Sequence, residues 1–292
     1  MYRIVISVLV NLLVISVAMG QSVERDSNHA HLEPAASEST ECQYSLTLAK
    51  TKFSQYEPIL LTLAITNSSY KPLPVSLGYN REGGFIFTVK RSDGSIKELP
   101  PKITKETLTL LANFNVEAQK TYTQQLILND WYDFKDPGVY EISASLAKGR
   151  RQAEQACLNS RFKIEIMPFD VAQLQQTCSA LVETISQNVH NVGNAFDAVK
   201  ALLAVKSPVI VPFLEQAVKA NHAVTSYVIS GLEEVGNEEA VRVLVSLLEE
   251  ARTHPDNGEF LQVRNALFAI ERKATDPATL DLVKITLAKV RE

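Results

Sequence analysis

No catalytic signature stands out in this chain. Across 292 residues there is no G-x-S-x-G elbow, no H-E-x-x-H helix, no Walker loop, no C-x-x-C pair and no dinucleotide fingerprint. Asp and Glu are plentiful, yet no pair of them is held at a spacing that implies acid–base work. Any reaction centre would have to be assembled in three dimensions. Charge avoids both extremes, with a formal net of −4. From 43 to 167 there are 16 Lys/Arg against 12 Asp/Glu, a net of +4; from 168 to 292 the count is 11 against 16, a net of −5. Neither balance suits phosphate-driven binding, so nucleic acid is not an expected partner. Cysteine is scarce as well, with three in the whole chain.

What is present begins with an apolar N-terminus. Arg3 precedes Ile4–Val10, then Leu12–Val17 after Asn11, with Ala18 and Gly20 leading into a polar segment at Gln21. A positive start, a short apolar stretch and a small-x-small exit describe a secretory signal over 1–20, with cleavage expected after Gly20. The rival is an uncleaved anchor over 4–17, the one route by which a membrane would become a partner; that run is short for a hydrocarbon core of ~30 Å. No Cys follows the cleavage site, so lipidation there is not expected. Residues 21–41 are small or polar apart from one Val and one Leu, which suits a flexible leader. Asp26, His29, His31 and Glu33 lie in it, but a metal site needs ligands held in place by a supporting shell. Neither a metal nor a cofactor is expected. The localisation implied is extracytoplasmic, either periplasmic or secreted.

Near Pro168 the apolar period changes from two to between three and four, and it stays changed to the C-terminus. Upstream, strands are expected over Gln43–Lys50, Pro58–Asn67, Pro74–Leu77, Phe85–Lys90, Ser95–Leu99, Thr107–Leu111, Thr121–Leu128, Gly138–Leu146 and Ser160–Met167. Turn signals separate them, among them Asn67-Ser-Ser, Ser92-Asp-Gly and Asp136-Pro-Gly. Strands of this length and spacing point to an antiparallel sandwich over 42–167. Downstream, helices follow one another over 168–292. The expected class is therefore multidomain, all-β followed by all-α.

One motif refines the first half. Asp136-Pro-Gly138-Val-Tyr140 leads into the alternating run Tyr140, Ile142, Ala144. It resembles the D-x-G-x-Y approach to strand F in immunoglobulin-like domains, bacterial ones included, where the tyrosine hydroxyl bonds back to the corner before it. The position two residues on, a Cys in antibody domains, is Ile142 here. In such sandwiches the first strand, or part of it, often runs parallel beside the last. The resemblance thus implies a Cys42–Cys157 bridge, which would contribute roughly 2–4 kcal/mol. Three cysteines allow three single pairings, and Cys157–Cys178 is the main competitor. Cys178 lies on the helical stripe Val171, Leu174, Cys178, Leu181, Ile185, where a thiol is a small core residue more often than a nucleophile.

The second half repeats itself. Leu202–Glu215 aligns with Leu232–Val245 thirty residues later, matching Leu202 to Leu232, Val205 to Val235 and Leu214 to Leu244, with a mismatch of Val209 to Glu239. A third unit starts at Leu267 with Ile270 in step and four extra residues before Asp276-Pro277. Ser207-Pro208, Asn237-Glu238 and Asp276-Pro277 each set a capping side chain before a residue favoured at a helix start. This pattern resembles HEAT repeats, in the short form of phycobilin lyase-type proteins, over Val192–Val290. The resemblance implies a stacked α-solenoid and transfers no bilin-lyase activity. Val171–Asn188 is expected to close its N-terminal end and join it to the sandwich.

Several surface groups are candidate partner contacts. They are the acidic residues Glu233, Glu234, Glu238 and Glu239, with Glu249 and Glu250 farther along, and the basic tip Lys148, Arg150 and Arg151. Trp131 belongs with Tyr132 and Phe134 before the tyrosine corner. The loop Ala251–Gly258 is longer than its counterpart, and Asn67-Ser-Ser is a glycosylation sequon in a eukaryotic source. The reading is an exported, non-catalytic interaction protein binding a protein or peptide through the helical repeats, the sandwich loops, or both. The alternatives are a protease inhibitor acting through sandwich loops, and a hydrolase or carbohydrate-active enzyme with its site at the domain junction.

Overall fold

The computed structural model describes residues 42–77, 82–99, 113–146, 160–253 and 258–291. Strands occupy the first half: β1 (Cys42–Leu48), β2 (Lys52–Ser54), β3 (Leu60–Asn67), β4 (Leu73–Ser76), β5 (Phe85–Arg91), β6 (Ile96–Leu99), β7 (Asn113–Val116), β8 (Thr121–Ile127), β9 (Gly138–Leu146) and β10 (Ser160–Met167). One sheet has the order β1-β3-β8, a second β2-β10-β9-β5-β6, and β4 pairs separately with β7. Period-two alternation decides which faces meet. Leu61, Leu63 and Ile65 of β3 and Leu126 of β8 enter one core with Phe85, Phe87, Ile142 and Ile164 of the larger sheet. The first segment serves both sheets. β1 pairs antiparallel with β3, while β2 runs parallel to β10, with Phe53 opposite Ile166.

Most expected strands stand within a residue or two of their positions. Thr107–Leu111 lies outside the described residues. β2 and β7 were not foreseen: KFS, at three residues, and NFNV, which alternates over only four, are runs too short to register. The tyrosine corner is made: Tyr140 Oη donates to the Asp136 carbonyl at 2.7 Å. Ile142 fills the core at 1% exposure. Asn67 corrects the sequon reading. It is 0% exposed, and its amide nitrogen donates to the carbonyls of Lys71, Val116 and Glu117 at 2.8–3.1 Å. That nitrogen ties the turn after β3 to the strand before β8, so it does not present a glycan acceptor.

Helices fill the second half: α1 (Val171–Gln187), α2 (Val192–Leu203), α3 (Val211–Ala220), α4 (Thr225–Val235), α5 (Glu238–Thr253), α6 (Glu259–Lys273) and α7 (Pro277–Arg291). The helices pack mainly on neighbours one or two places away in the chain, although α2 packs on α1 and α4 more than on α3. Leu202, Leu232 and Leu267 are all fully buried, in α2, α4 and α6, the first helix of each successive pair. A single apolar core runs from Leu174 to Leu287. The caps hold as read. Asn237 Oδ1 accepts from Ala240 N at 2.8 Å, and Asp276 accepts from the amide and hydroxyl of Thr279 at 2.8 and 2.7 Å. Ser207 caps a 3₁₀ turn, Pro208–Ile210, before α3 begins. Pro212 has no N–H to bond back to Pro208, so the α-ladder cannot close across that turn. The extra residues of the third unit extend α6 by about one turn beyond the point where α4 stops.

The halves join within one compact unit, Thr40–Glu292. The bend after β2 carries Tyr56 at a φ of 68°, which aims the Tyr56 ring edge-on at Phe169, 5.7 Å away. Next to it Glu57, 2% exposed, is held from both sides. Its carboxylate accepts from Ser54 N at 2.9 Å, Gln173 Nε2 at 3.0 Å and Thr177 Oγ1 at 2.8 Å, and it pairs with Lys50. Ser54 Oγ accepts from Asp170 N at 2.9 Å, and Asp170 in turn caps α1. Beside this polar latch, Leu60 and Ile127 pack on Leu181, Ala201 and Ala204. A buried carboxylate is stable only when its lone pairs are filled, and both halves contribute the donors.

Candidate functional site

The α2–α3, α4–α5 and α6–α7 turns lie side by side, Glu234 and Val235 facing a neighbouring turn on either hand. Among them the α4–α5 turn and the α6–α7 turn enclose an open groove of about 790 Å³. Its floor is apolar, from Val235, Ile270 and Ala274, and its rim carries Glu233, Glu234, Glu238, Glu239 and Asp276. The rim follows from the capping pattern. α4 ends at Gly236, whose φ of 58° lets its N–H return to Leu232 O. Asn237 then caps α5, and the two glutamates of its first turn face the positive helix terminus.

Much of this acidity is answered by cations. Lys206, from the turn of the preceding pair, reaches Glu234 at 2.6 Å; Lys273 reaches Glu233 at 3.4 Å; Arg242 pairs with Glu238 one helical turn away. Ion pairs thus cross from each unit to the next, although exposed pairs of this kind contribute only ~0.2–1 kcal/mol. Among the described residues Glu239 has no ion-pair partner. Thr279, through its hydroxyl and its amide, holds Asp276 below the usual carboxylate range, so Asp276 stays charged.

The four glutamates singled out from sequence therefore share one site. Glu249 and Glu250 stand near the far end of α5, as does the 251–258 connection, whose residues 254–257 lie outside the described residues. Lys148, Arg150, Arg151 and Cys157 lie outside them too. Trp131 is half-buried at the end of the strand core, edge-on to Phe87 at 5.0 Å. Tyr132 and Phe134 close that same end. Cys178 is free and buried, so the Cys157–Cys178 pairing is not made. Desolvation, with Glu57 adding to it, pushes the Cys178 thiol up to about 12, which suits a packed core residue and not an attacking thiolate. Sequence reading missed the cations Lys206, Arg242 and Lys273. The repeat alignment does hold a signal for Lys206, which directly precedes the cap Ser207 and so belongs to the same turn edge.

At the junction Tyr56, Asn129, Asp133, Phe134, Ala204 and Lys206 line a cavity of about 220 Å³. Among the described residues no group of three or more His, Cys, Asp or Glu side chains could hold a metal ion. Among them, too, no helix is long and apolar enough to cross a membrane.

No family model and no curated protein matches this chain. Solved structures resemble parts of it distantly. A β-glucosidase from Listeria innocua in complex with gluconolactone matches at 13% identity and a TM-score of 0.27, over 44% of this chain and 16% of that one. A CARDB domain from Pyrococcus furiosus in complex with di-metal ions matches at 7% identity and a TM-score of 0.26, over 44% of this chain and 94% of that domain. An alkylpurine DNA glycosylase from Pseudomonas fluorescens bound to DNA matches at 12% identity and a TM-score of 0.27, over 44% and 30%. At such distances none of them bears on activity.

Proposed function

We propose that this is an exported, non-catalytic interaction protein in which an immunoglobulin-like sandwich is fused to a short HEAT-type solenoid, and that a protein or peptide partner docks on the turn edge of the helical array. The single observation that carries the reading is the groove between the α4–α5 and α6–α7 turns, with its apolar floor and charged rim. Helices that pack mainly on near neighbours support the solenoid assignment, and stacked repeats present extended surfaces suited to docking. The split of the first segment between two sheets and the tyrosine corner support the immunoglobulin-like assignment.

The test uses the full chain and two variants as bait in the extracytoplasmic fraction of the source cells. Val235→Arg fills the groove floor at a half-buried position, and Glu249→Lys changes charge at the far end of α5. A partner recovered by the parent chain and by Glu249→Lys, but lost with a correctly folded Val235→Arg, supports the reading. Equal recovery by all three overturns it.

A further inference from the structure

The groove does not end at the α4–α5 turn. Glu234 and Val235 also line a second cavity, of about 290 Å³, between the α2–α3 turn and the end of α4. That cavity has the more apolar lining, from Leu203, Val205, Pro208 and Ile210. Its rim residue Lys206 in turn lines the junction cavity beside Asp133 and Phe134. The three cavities thus follow one another through shared rim residues, a row of hollows here called a trough, from the junction with the strand half to the α6–α7 turn.

Resting on the proposed docking edge, we infer that this trough takes an extended, cationic peptide segment of a partner, with basic residues flanking an aliphatic centre. Charge complementarity selects the occupant. Six acids line the trough (Asp133, Glu233, Glu234, Glu238, Glu239 and Asp276) against three cations, Lys206, Arg242 and Lys273. Five of the acids stand on the α4–α5 and α6–α7 turns, Glu234 also bordering the apolar cavity, and Asp133 is the single acid at the junction end, with the apolar cavity between. A side chain seated there removes aliphatic surface from water, while flanking Lys or Arg meets Glu239 on one side and Asp133 on the other. An extended chain suits a surface built from successive turns, because its residues advance in step with the repeats. The chain's own leader is a poor occupant: residues 21–41 hold Glu24, Asp26, Glu33, Glu38 and Glu41 against Arg25, so like charges would meet.

The probe is a fluorescent peptide of about twelve residues, with Lys and Arg at both ends and Val and Leu between. The control replaces each Lys and Arg by Glu. Anisotropy with the full chain is expected to show saturable binding of the cationic peptide alone, weakening by about tenfold or more between about 0.05 and 0.3 M salt. Glu239→Lys combined with Asp133→Lys, both exposed positions, should weaken it by roughly fivefold or more while the circular dichroism of the folded chain stays unchanged. No binding at millimolar peptide, equal binding of the acidic control, or indifference to the double variant would each overturn the inference. A natural partner captured through Val235 but not displaced by the cationic peptide would sink the cationic assignment and leave the docking edge standing. Capture indifferent to Val235→Arg would remove both.

Discussion

The two halves of this protein hold together by opposite strategies. In the strand half the chain closes on itself: Phe53 of β2 lies opposite Ile166 of β10, and both sheets fill one core. Several of its pairings join segments remote in sequence, among them β3 with β8, β5 with β9 and β2 with β10, so partial structures bury little and cooperativity should be high. In the helical half the helices pack mainly on neighbours one or two places away in the chain. Stability is then close to a sum of local interfaces, and loosening can begin at the α7 end without reaching α1. The same contrast explains where surface is available for docking. The strand core has one end sealed by Trp131 and Phe134, whereas the helical half leaves the α4–α5 and α6–α7 turns bordering an open groove.

The contrast can be attacked directly. Phe87→Ala in the strand core should cost about 3–5 kcal/mol and reduce amide-exchange protection in all strands together. Leu287→Ala in α7 should cost about 2–5 kcal/mol but release protection only in α6 and α7. Exchange lost uniformly through the helices in that variant would show a cooperative bundle in place of a stack. Next in size, Glu57→Leu removes the carboxylate that receives Ser54, Gln173 and Thr177, a loss of about 2–4 kcal/mol. It should also split one urea transition into two; a single transition with an unchanged midpoint would show that the latch does not couple the halves. Tyr140→Phe deletes only the hydroxyl bond to the Asp136 carbonyl. A shift of about 0.5–1.5 kcal/mol is expected, confined to the strand half.

Cys178 gives the gentlest test. Its thiol is raised from 9.0 to about 12 by burial beside Glu57. A raised acid keeps its proton in the folded state after the unfolded chain has lost it. The resulting stability is fully present below pH 9 and is lost as pH climbs from there through about 12. Denaturant midpoints measured across that window should fall less steeply for Cys178→Ala than for the parent chain. At pH 8 an alkylating reagent should label Cys178 only as fast as the helices open; rapid labelling of folded protein would refute the burial.

Much of the architecture was legible because period is a local property. Leu61, Leu63 and Ile65 announce their shared face by alternation alone, and Leu202, Leu232 and Leu267 announce theirs by recurrence. Ser207, Asn237 and Asp276 could be read as caps because a cap depends on three or four adjacent residues. Glu57 was not legible. In sequence it is one charged residue before a proline, and its donors Gln173 and Thr177 lie beyond the end of the strands. The groove was half legible: its glutamates stand together in the chain, but Lys273 and Asp276 reach it only because α6 stacks on α4.

Alone, then, the amino-acid order determined the switch from strand to helix near Pro168 and the positions of the helix caps, since each follows from torsional preference and apolar spacing within a short window. Folding decided the rest. It paired β2 with β10, buried Asn67 and Glu57 among hydrogen-bond partners from distant segments, and set the α4–α5 turn against the α6–α7 turn to form a groove. Those outcomes depend on which surfaces meet, and a linear pattern does not carry that information until the chain has closed.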